Sequence, residues 1–254
     1  YEKKNEIIRK LLNNHYDLEL KNYSQIEYRI FPLPNLVIKK ANFTIKNNPI
    51  KLESTSIQIF LYLNNIYNFK NIKAKKIIAN ESKISLEVNL VKNFVDFISK
   101  IKNKIYVNNL NLEIKRKDIT LANVNNINFS NYGHDKYDVT GEIFENFFKL
   151  SLNDNQNLNF KILNTDVKAN FKFHKKNFNL NSGSSKISLA KNIIKFNFNL
   201  NNNELEIFKS NFRNKYLSFS LDSFIKFIPY FSVNSKINIK AKRPNDERIA
   251  AAFR

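Results

Sequence analysis

Apolar and polar residues alternate almost without interruption from Ile57 to Ala241. Ile57-Gln58-Ile59-Phe60-Leu61-Tyr62-Leu63, Lys83-Ile84-Ser85-Leu86-Glu87-Val88-Asn89-Leu90 and Leu110-Asn111-Leu112-Glu113-Ile114 open the series. Phe148-Lys149-Leu150-Ser151-Leu152, Phe171-Lys172-Phe173 and Phe196-Asn197-Phe198-Asn199-Leu200 follow, then Leu217-Ser218-Phe219-Ser220-Leu221 and Ile237-Asn238-Ile239. A period of two puts the apolar side chains on one face of a strand and Asn, Lys or Ser on the other. The pattern predicts a mostly β protein whose strands share one apolar face.

Three segments break the alternation at helical spacing. Ile7, Ile8, Leu11 and Leu12 fall on one face of a helix predicted over residues 2–14. Val91, Phe94, Val95, Ile98 and Ile101 predict a second over 90–102. A third is expected over 222–229, with Asp222 at its start and Pro229 at its end. Phe31-Pro32-Leu33-Pro34 suits extended structure or a sheet edge, and Leu36-Val37-Ile38 restarts a strand. With only three Gly and five Pro in 254 residues, Asn takes the turns: Asn47-Asn48, Asn64-Asn65, Asn108-Asn109, Asn125-Asn126 and Asn201-Asn202-Asn203. The turn spacing is that of meanders and barrels. No strict sequence repeat is present.

The net charge of +20 raises an anionic partner, nucleic acid or a lipid headgroup surface. Lys, Asn, Ile, Phe and Tyr are enriched together while Gly, Trp, Cys and Met are scarce or absent, which is also what an AT-rich coding bias produces. The lysines run along the whole chain, so they are expected to scatter over the outer face of the sheet. Base-stacking sheets interleave aromatics with basic residues on one exposed face. Here Phe196 and Phe198 share a face with Leu200 instead, and no nucleic-acid partner is expected.

Catalytic chemistry finds little support. The absence of cysteine excludes disulfides, thiolate metal sites and a Cys nucleophile. His15, His134 and His174 are at no metal-ligand spacing, and His134 sits in the turn-like Ser130-Asn131-Tyr132-Gly133-His134-Asp135. Gly133 and Gly141 are isolated, and Gly183 reads as a turn in Ser182-Gly183-Ser184-Ser185. The acids lie on polar strand faces, as Glu87 and Glu113 do. The expectation is a protein that is not an enzyme and has no metal and no cofactor.

No apolar run is long enough to span a bilayer. The chain opens on Tyr1 and contains no methionine, so it is expected to be a fragment, with a signal or anchor preceding it. The tail 243–254, with Ala250-Ala251-Ala252, departs from the composition before it. Periodicity leaves two readings of the apolar face. Facing strands bury one another in an ordinary core, or one sheet curls into a trough for acyl chains, each methylene gaining ~0.8 kcal/mol.

The first ninety residues carry a resemblance. A helix ending near Asn14 leads into Tyr16-Asp17-Leu18-Glu19-Leu20, then Ile26-Glu27-Tyr28-Arg29-Ile30-Phe31-Pro32-Leu33-Pro34-Asn35-Leu36-Val37-Ile38. Ser56 to Leu63 and Ile72 to Glu87 continue the layout. Asp138-Val139-Thr140-Gly141 and Asp166-Val167-Lys168-Ala169-Asn170-Phe171 resemble its later β-layers. This looks like the start of the AsmA family. The family's usual Gly after the first helix is Asn14 or His15 here, and its membrane helix is not in the chain. The resemblance implies a bacterial envelope protein anchored in the inner membrane by its N-terminus and facing the periplasm. It implies a long curved antiparallel sheet forming an apolar groove, plugged by an N-terminal helix and one or two short helices. Such proteins are similar to bridge-like lipid transfer proteins and are associated with phospholipid transport to, and assembly of, the outer membrane. The expected partners are phospholipid acyl chains, the membrane and envelope proteins; a structural or chaperone-like β-module that binds envelope proteins is the alternative, with a basic nucleic-acid-binding domain the less favoured one.

The expected organisation is then a helix and membrane-proximal segment over 1–20, a groove-forming β-domain over 21–242 and the tail over 243–254. The residues expected to line the groove are Ile57, Ile59, Leu61, Ile84, Leu86, Val88, Leu110, Leu112, Ile114, Leu150, Leu152, Phe171, Phe173, Phe196, Phe198 and Phe219.

Overall fold

The alternation becomes strands and the two N-terminal interruptions become helices in the computed structural model of the chain. The structure describes residues 2–31, 33–62, 73–101, 103–132, 136–153, 156–174, 182–190, 192–201, 204–214, 217–226 and 232–241. Helix α1 (Glu2–Tyr16) precedes strands β1 (Leu18–Asn22), β2 (Gln25–Arg29), β3 (Asn35–Ile45), β4 (Lys51–Leu61) and β5 (Ala74–Glu87). A single 3-10 turn and helix α2 (Val91–Lys100) lead to β6 (Lys104–Arg116), β7 (Ile119–Ser130), β8 (Tyr137–Ile143) and β9 (Asn146–Asn153). The remainder is β10 (Asn157–Ile162), β11 (Lys168–Phe173), β12 (Ser182–Leu189), β13 (Asn192–Leu200), β14 (Glu204–Arg213), β15 (Leu217–Lys226) and β16 (Ser232–Ala241).

The strands are hydrogen-bonded in the order β1-β3-β4-β5-β6-β7-β8-β9-β10-β11-β12-β13-β14-β15-β16, and β2 also pairs with β3. The expected antiparallel pairing holds with one exception. β6 runs parallel to β5, with Lys76 opposite Lys104 and Glu87 opposite Lys115. A parallel neighbour needs a crossover, and α2 supplies it. The chain divides into two compact units, Tyr1–Lys149 and Leu150–Arg254.

In the first unit the register aligns the apolar residues into rows. Leu36, Ile59, Ile77 and Ile105 are cross-strand neighbours, as are Ile38, Ile57, Ala79 and Val107. Further along the same strands come Ala41, Ser54, Ser82 and Leu110, then Phe43, Leu52, Ile84 and Leu112. Between the two sets the alternation slips by one residue on every strand. The residues at the slip are Lys40, Thr55, Glu81, Asn109 and Asn126. Four of them have left-handed backbone, with φ of 46° at Lys40, 47° at Glu81, 57° at Asn109 and 52° at Asn126. Each is a bulge-like kink that restores the apolar side chains to the same face, while the cross-strand register at these positions shifts only in the pairings of β7 with β6 and β8. Asn108-Asn109 and Asn125-Asn126, expected as turns, therefore lie inside β6 and β7. Asn tolerates the left-handed region, and a strand interrupted there keeps its face.

A single sheet layer leaves one face uncovered. Yet Ile38, Ala41, Phe43, Ile57, Ile59, Ile84 and Leu86 are fully buried. Apolar residues of the helices are buried as well: Ile8, Leu11, Leu12 and Tyr16 of α1 and Phe97 of α2, with Ile101 just beyond it. The helices are thus the cover that the described residues supply. Asp17, left-handed at φ 51°, ends α1, and its carbonyl accepts from Lys46 N at 2.8 Å. Asn103 Nδ2 donates to His15 O at 3.2 Å, fixing the end of α1 beside the start of β6.

The second unit contains no helix among its described residues. Each strand from β10 to β16 pairs with its sequence neighbours. The third expected helix is absent: Asp222 to Lys226 belong to β15, between β14 and β16. Ser223 and Ser235 meet at 2.7 Å across that pairing, and Asp222 Oδ1 accepts from Lys209 N at 3.3 Å rather than capping a helix. Hydrogen bonding on both sides overrides a helical reading of these five residues. Residues 227–229, His134 and the tail 243–254 lie outside the described residues. So do Leu63 and two of the expected turns, Asn64-Asn65 and Asn202-Asn203.

Candidate functional site

The predicted lining residues fall into two settings. Ile57, Ile59 and Leu61 of β4, Ile84 and Leu86 of β5, and Leu110 of β6 point to the covered face of the first unit and are buried. Leu112 and Ile114, further along β6 on the same face, are half-buried. Val88 is the exception. β5 ends at Glu87, Val88 opens the 3-10 turn, and its side chain is 43% exposed. The chain has to leave the sheet there to enter the crossover, and the alternation in the sequence runs on past that point.

Leu150 and Leu152 follow the buried Phe148 on one face of β9 and are half-buried. In the second unit, Phe171 and Phe173 of β11, Phe196 and Phe198 of β13 and Phe219 of β15 share a face. Phe171 is opposite Ser185, which is opposite Phe196, while Phe173 reaches Phe198 across Gly183. Phe160, Ala169, Ile187, Ile194, Phe212, Phe219 and Ile239 form a row across seven strands.

β12 makes room for these rings. Its inward residues are Gly183, Ser185 and Ile187, two of them small. Phe198 packs edge-on against Phe171 at 6.0 Å and against Phe173 at 5.6 Å between ring centres. A Cβ on Gly183 would lie 2.3 Å from Lys172 O and 3.0 Å from Phe198 Cζ. Gly183 is therefore a strand residue demanded by close packing, and the turn expected there is replaced by the middle of a sheet. Phe212 stacks on Phe219 at 4.6 Å. Lys209, with φ 50°, makes the same phase slip as in the first unit, so Leu205 and Ile207 precede it on this face and Ser210 and Phe212 follow it.

Coverage is the difference between the two faces. Phe171, Phe173, Phe196, Ile207 and Phe219 are only half-buried. Towards β16 the face opens further: Val233 is 53% exposed and Ile239 64%. No second layer lies over it among the described residues of this unit. A contiguous apolar surface of this kind marks a contact site. Alternation predicted the strands but carries no information on what covers them.

Titratable chemistry is sparse. Among the described residues, no group of three or more His, Asp or Glu could hold a metal ion, and no helix is long and apolar enough to cross a membrane. The Lys39 and Arg29 side chains hydrogen-bond Glu27 and hold its carboxyl below the usual range. Glu113 is lowered by Thr120 first and Lys115 next. These are surface pairs of little weight. The Tyr16 hydroxyl is buried without a hydrogen-bond partner, and burial, with Tyr62 nearby, pushes its pKa well above the ordinary phenol value. Comparisons with protein-family models, curated proteins and solved structures find no match for this chain.

Proposed function

We propose that the chain shelters lipid acyl chains on the apolar face of its second unit. On this reading it is a non-enzymatic envelope protein, held at the inner membrane and facing the periplasm, that serves phospholipid transport to the outer membrane and its assembly. The observation that carries the reading is the half-exposed aromatic and aliphatic face of β11 to β16, which no described element of that unit covers. Acyl chains suit such a surface because it has no hydrogen bonds to offer and gains ~0.8 kcal/mol per methylene removed from water. The AsmA resemblance supports the envelope setting.

Photo-crosslinking tests it. Probes at Phe198 and Phe219 are expected to capture acyl chains, and probes at the outward neighbours Asn197 and Ser220 are not. Equal capture from both faces, or none with lipid present, overturns the reading. A pair of charges at one level of the face, Phe219→Asp with Ile239→Asp, is expected to abolish lipid retention, because an unpaired carboxylate among acyl chains is costly.

A second reading is favoured by β16. It presents Val233, Ile237 and Ile239 exposed, and one of its edges has no strand partner among the described residues. A β-module that takes a protein strand at that edge would retain the partner and leave crosslinked lipid absent.

A further inference from the structure

We infer that the opposite, polar face of β10 to β13 docks on an anionic phospholipid bilayer surface. This inference is independent of acyl-chain binding, since it uses the other side of the same strands. Residues 167–203 contain seven Lys and no Asp, Glu or Arg. The register gathers the strand lysines. Lys161 stands directly opposite Lys168, and Lys186 directly opposite Lys195. Lys172 lies two positions from Asn170, which is the cross-strand neighbour of Lys186. A hollow of about 340 Å³ opens among Lys172, Lys186, Lys195 and Lys209 over Asn170 and Ser184.

Like charges placed directly opposite one another destabilise a sheet. Some strand lysines elsewhere have an acid beside them, as Lys39 has Glu27 and Lys115 has Glu113. None of Lys161, Lys168, Lys172, Lys186, Lys195 and Lys209 has an ion pair among the described residues, and all six are exposed. These lysines lie on the polar face, and across β10 to β13 they form a single-sign field. Lysine is a mobile point charge, whereas Arg forms the planar fork that grips one phosphate in two places. An all-lysine face fits many loosely held phosphates in a plane better than one defined ligand. The phenyl rings of β11 and β13 are on the other side of these strands, so the lysines are not interleaved with a base-stacking platform. That favours headgroups over nucleic acid.

The full chain is mixed with vesicles of phosphatidylcholine alone and of phosphatidylcholine with phosphatidylglycerol, and binding is read by sedimentation. Binding is expected to the mixed vesicles only and to weaken as salt rises. The triple variant K172Q/K186Q/K195Q is expected to lose about a hundredfold in partitioning, each lysine near an anionic surface being worth about fivefold. A control of equal charge change on exposed lysines of the first unit, K51Q/K75Q/K83Q, is expected to bind as before. Equal loss in both variants reduces the effect to net charge and overturns the proposal. So does binding to phosphatidylcholine alone, binding of single-stranded DNA tighter than that of the mixed vesicles, or displacement from the vesicles by dilute inorganic pyrophosphate, which would indicate a pocket for a free anion. Crosslinking from Phe198 is scored separately, so failure on one face leaves the other reading intact.

Discussion

Asn131 and Ile105 bind each other twice: Ile105 N donates to Asn131 Oδ1 at 2.8 Å, and Asn131 N donates to Ile105 O at 3.3 Å. The same Asn131 side chain donates to Ile101 O at 3.1 Å and to Asn103 O at 2.8 Å. It is 1% exposed, just past the end of β7. One amide thus satisfies the backbone where the crossover from α2 enters β6, on the side where the pairing with β7 begins only at Tyr106. Asn131→Leu is expected to destabilise the protein by about 2–4 kcal/mol, because a buried N–H and two buried carbonyls lose their partner. A urea midpoint unchanged from wild type would refute that role.

Two glycines offer a graded comparison. At Gly183 an added Cβ meets backbone, Lys172 O, at 2.3 Å; at Gly141 the nearest atom is Phe148 Cε1 at 3.0 Å, with Asn125 O at 3.1 Å. Gly183→Ala is expected to cost about 3 kcal/mol and Gly141→Ala about 1 kcal/mol, the ring at Gly141 having more freedom to yield. Thermal melts of the two variants check the order.

Tyr16 gives a pH dependence of defined sign. Its hydroxyl is buried without a partner, and its folded pKa lies above the ordinary value of 10.0. A raised folded pKa means the unfolded chain releases the proton first. Stability from this group is complete below about pH 10 and is lost as pH rises beyond it. Tyr16→Phe is expected to remove that alkaline loss. At neutral pH it is expected to leave stability unchanged or raise it by about 1 kcal/mol, since an unpartnered hydroxyl leaves the core. Denaturant titrations at neutral and alkaline pH distinguish this from a packing role, in which both values fall.

The bulge row predicts an inversion of the usual glycine effect. Glycine inside a strand ordinarily destabilises. At Glu81, where φ is 47°, the left-handed backbone costs an L-residue about 1 kcal/mol, so Glu81→Gly is expected to be neutral or stabilising. The reference substitution Lys83→Gly, in the same strand, is expected to lose about 1 kcal/mol. Equal losses at both sites would contradict the assignment.

The strands were legible because alternation is a local signal: six of the eight named runs lie wholly in strands, and the other two begin in β4 and β5. The slips at Lys40, Thr55 and Glu81 were not legible, since Lys, Thr and Glu give no hint that the alternation changes phase there. At Asn109 and Asn126 a signal existed and pointed to the right conformation, but turn and bulge share it. β15 misread as a helix because Phe224-Ile225 interrupts the Ser-Phe alternation, and a single strand's spacing does not show that β14 and β16 hydrogen-bond it on both sides. Of the lining residues, the sequence placed side chains on a face; burial at Ile59 and openness at Phe219 depend on α1, α2 and the absence of a described layer over the second unit, which no period encodes. The lysine concentration was visible as an acid-free run, yet only the pairing of Lys186 with Lys195 turns it into a surface.

The sequential strand order of the second unit has a kinetic consequence. From β10 to β16 each new strand closes a short loop onto the one just formed, so assembly requires no distant chain segment to arrive first. Such a sheet can zip up hairpin by hairpin as it emerges. The first unit cannot: β6 must wait for α2 to carry the chain back to the start of β5, and β3 must gather β1 and β2 along one edge. Slow closure is therefore confined to the N-terminal half, and inserting or removing a β-hairpin in the other half would alter the width of the sheet without altering the order in which anything else must form.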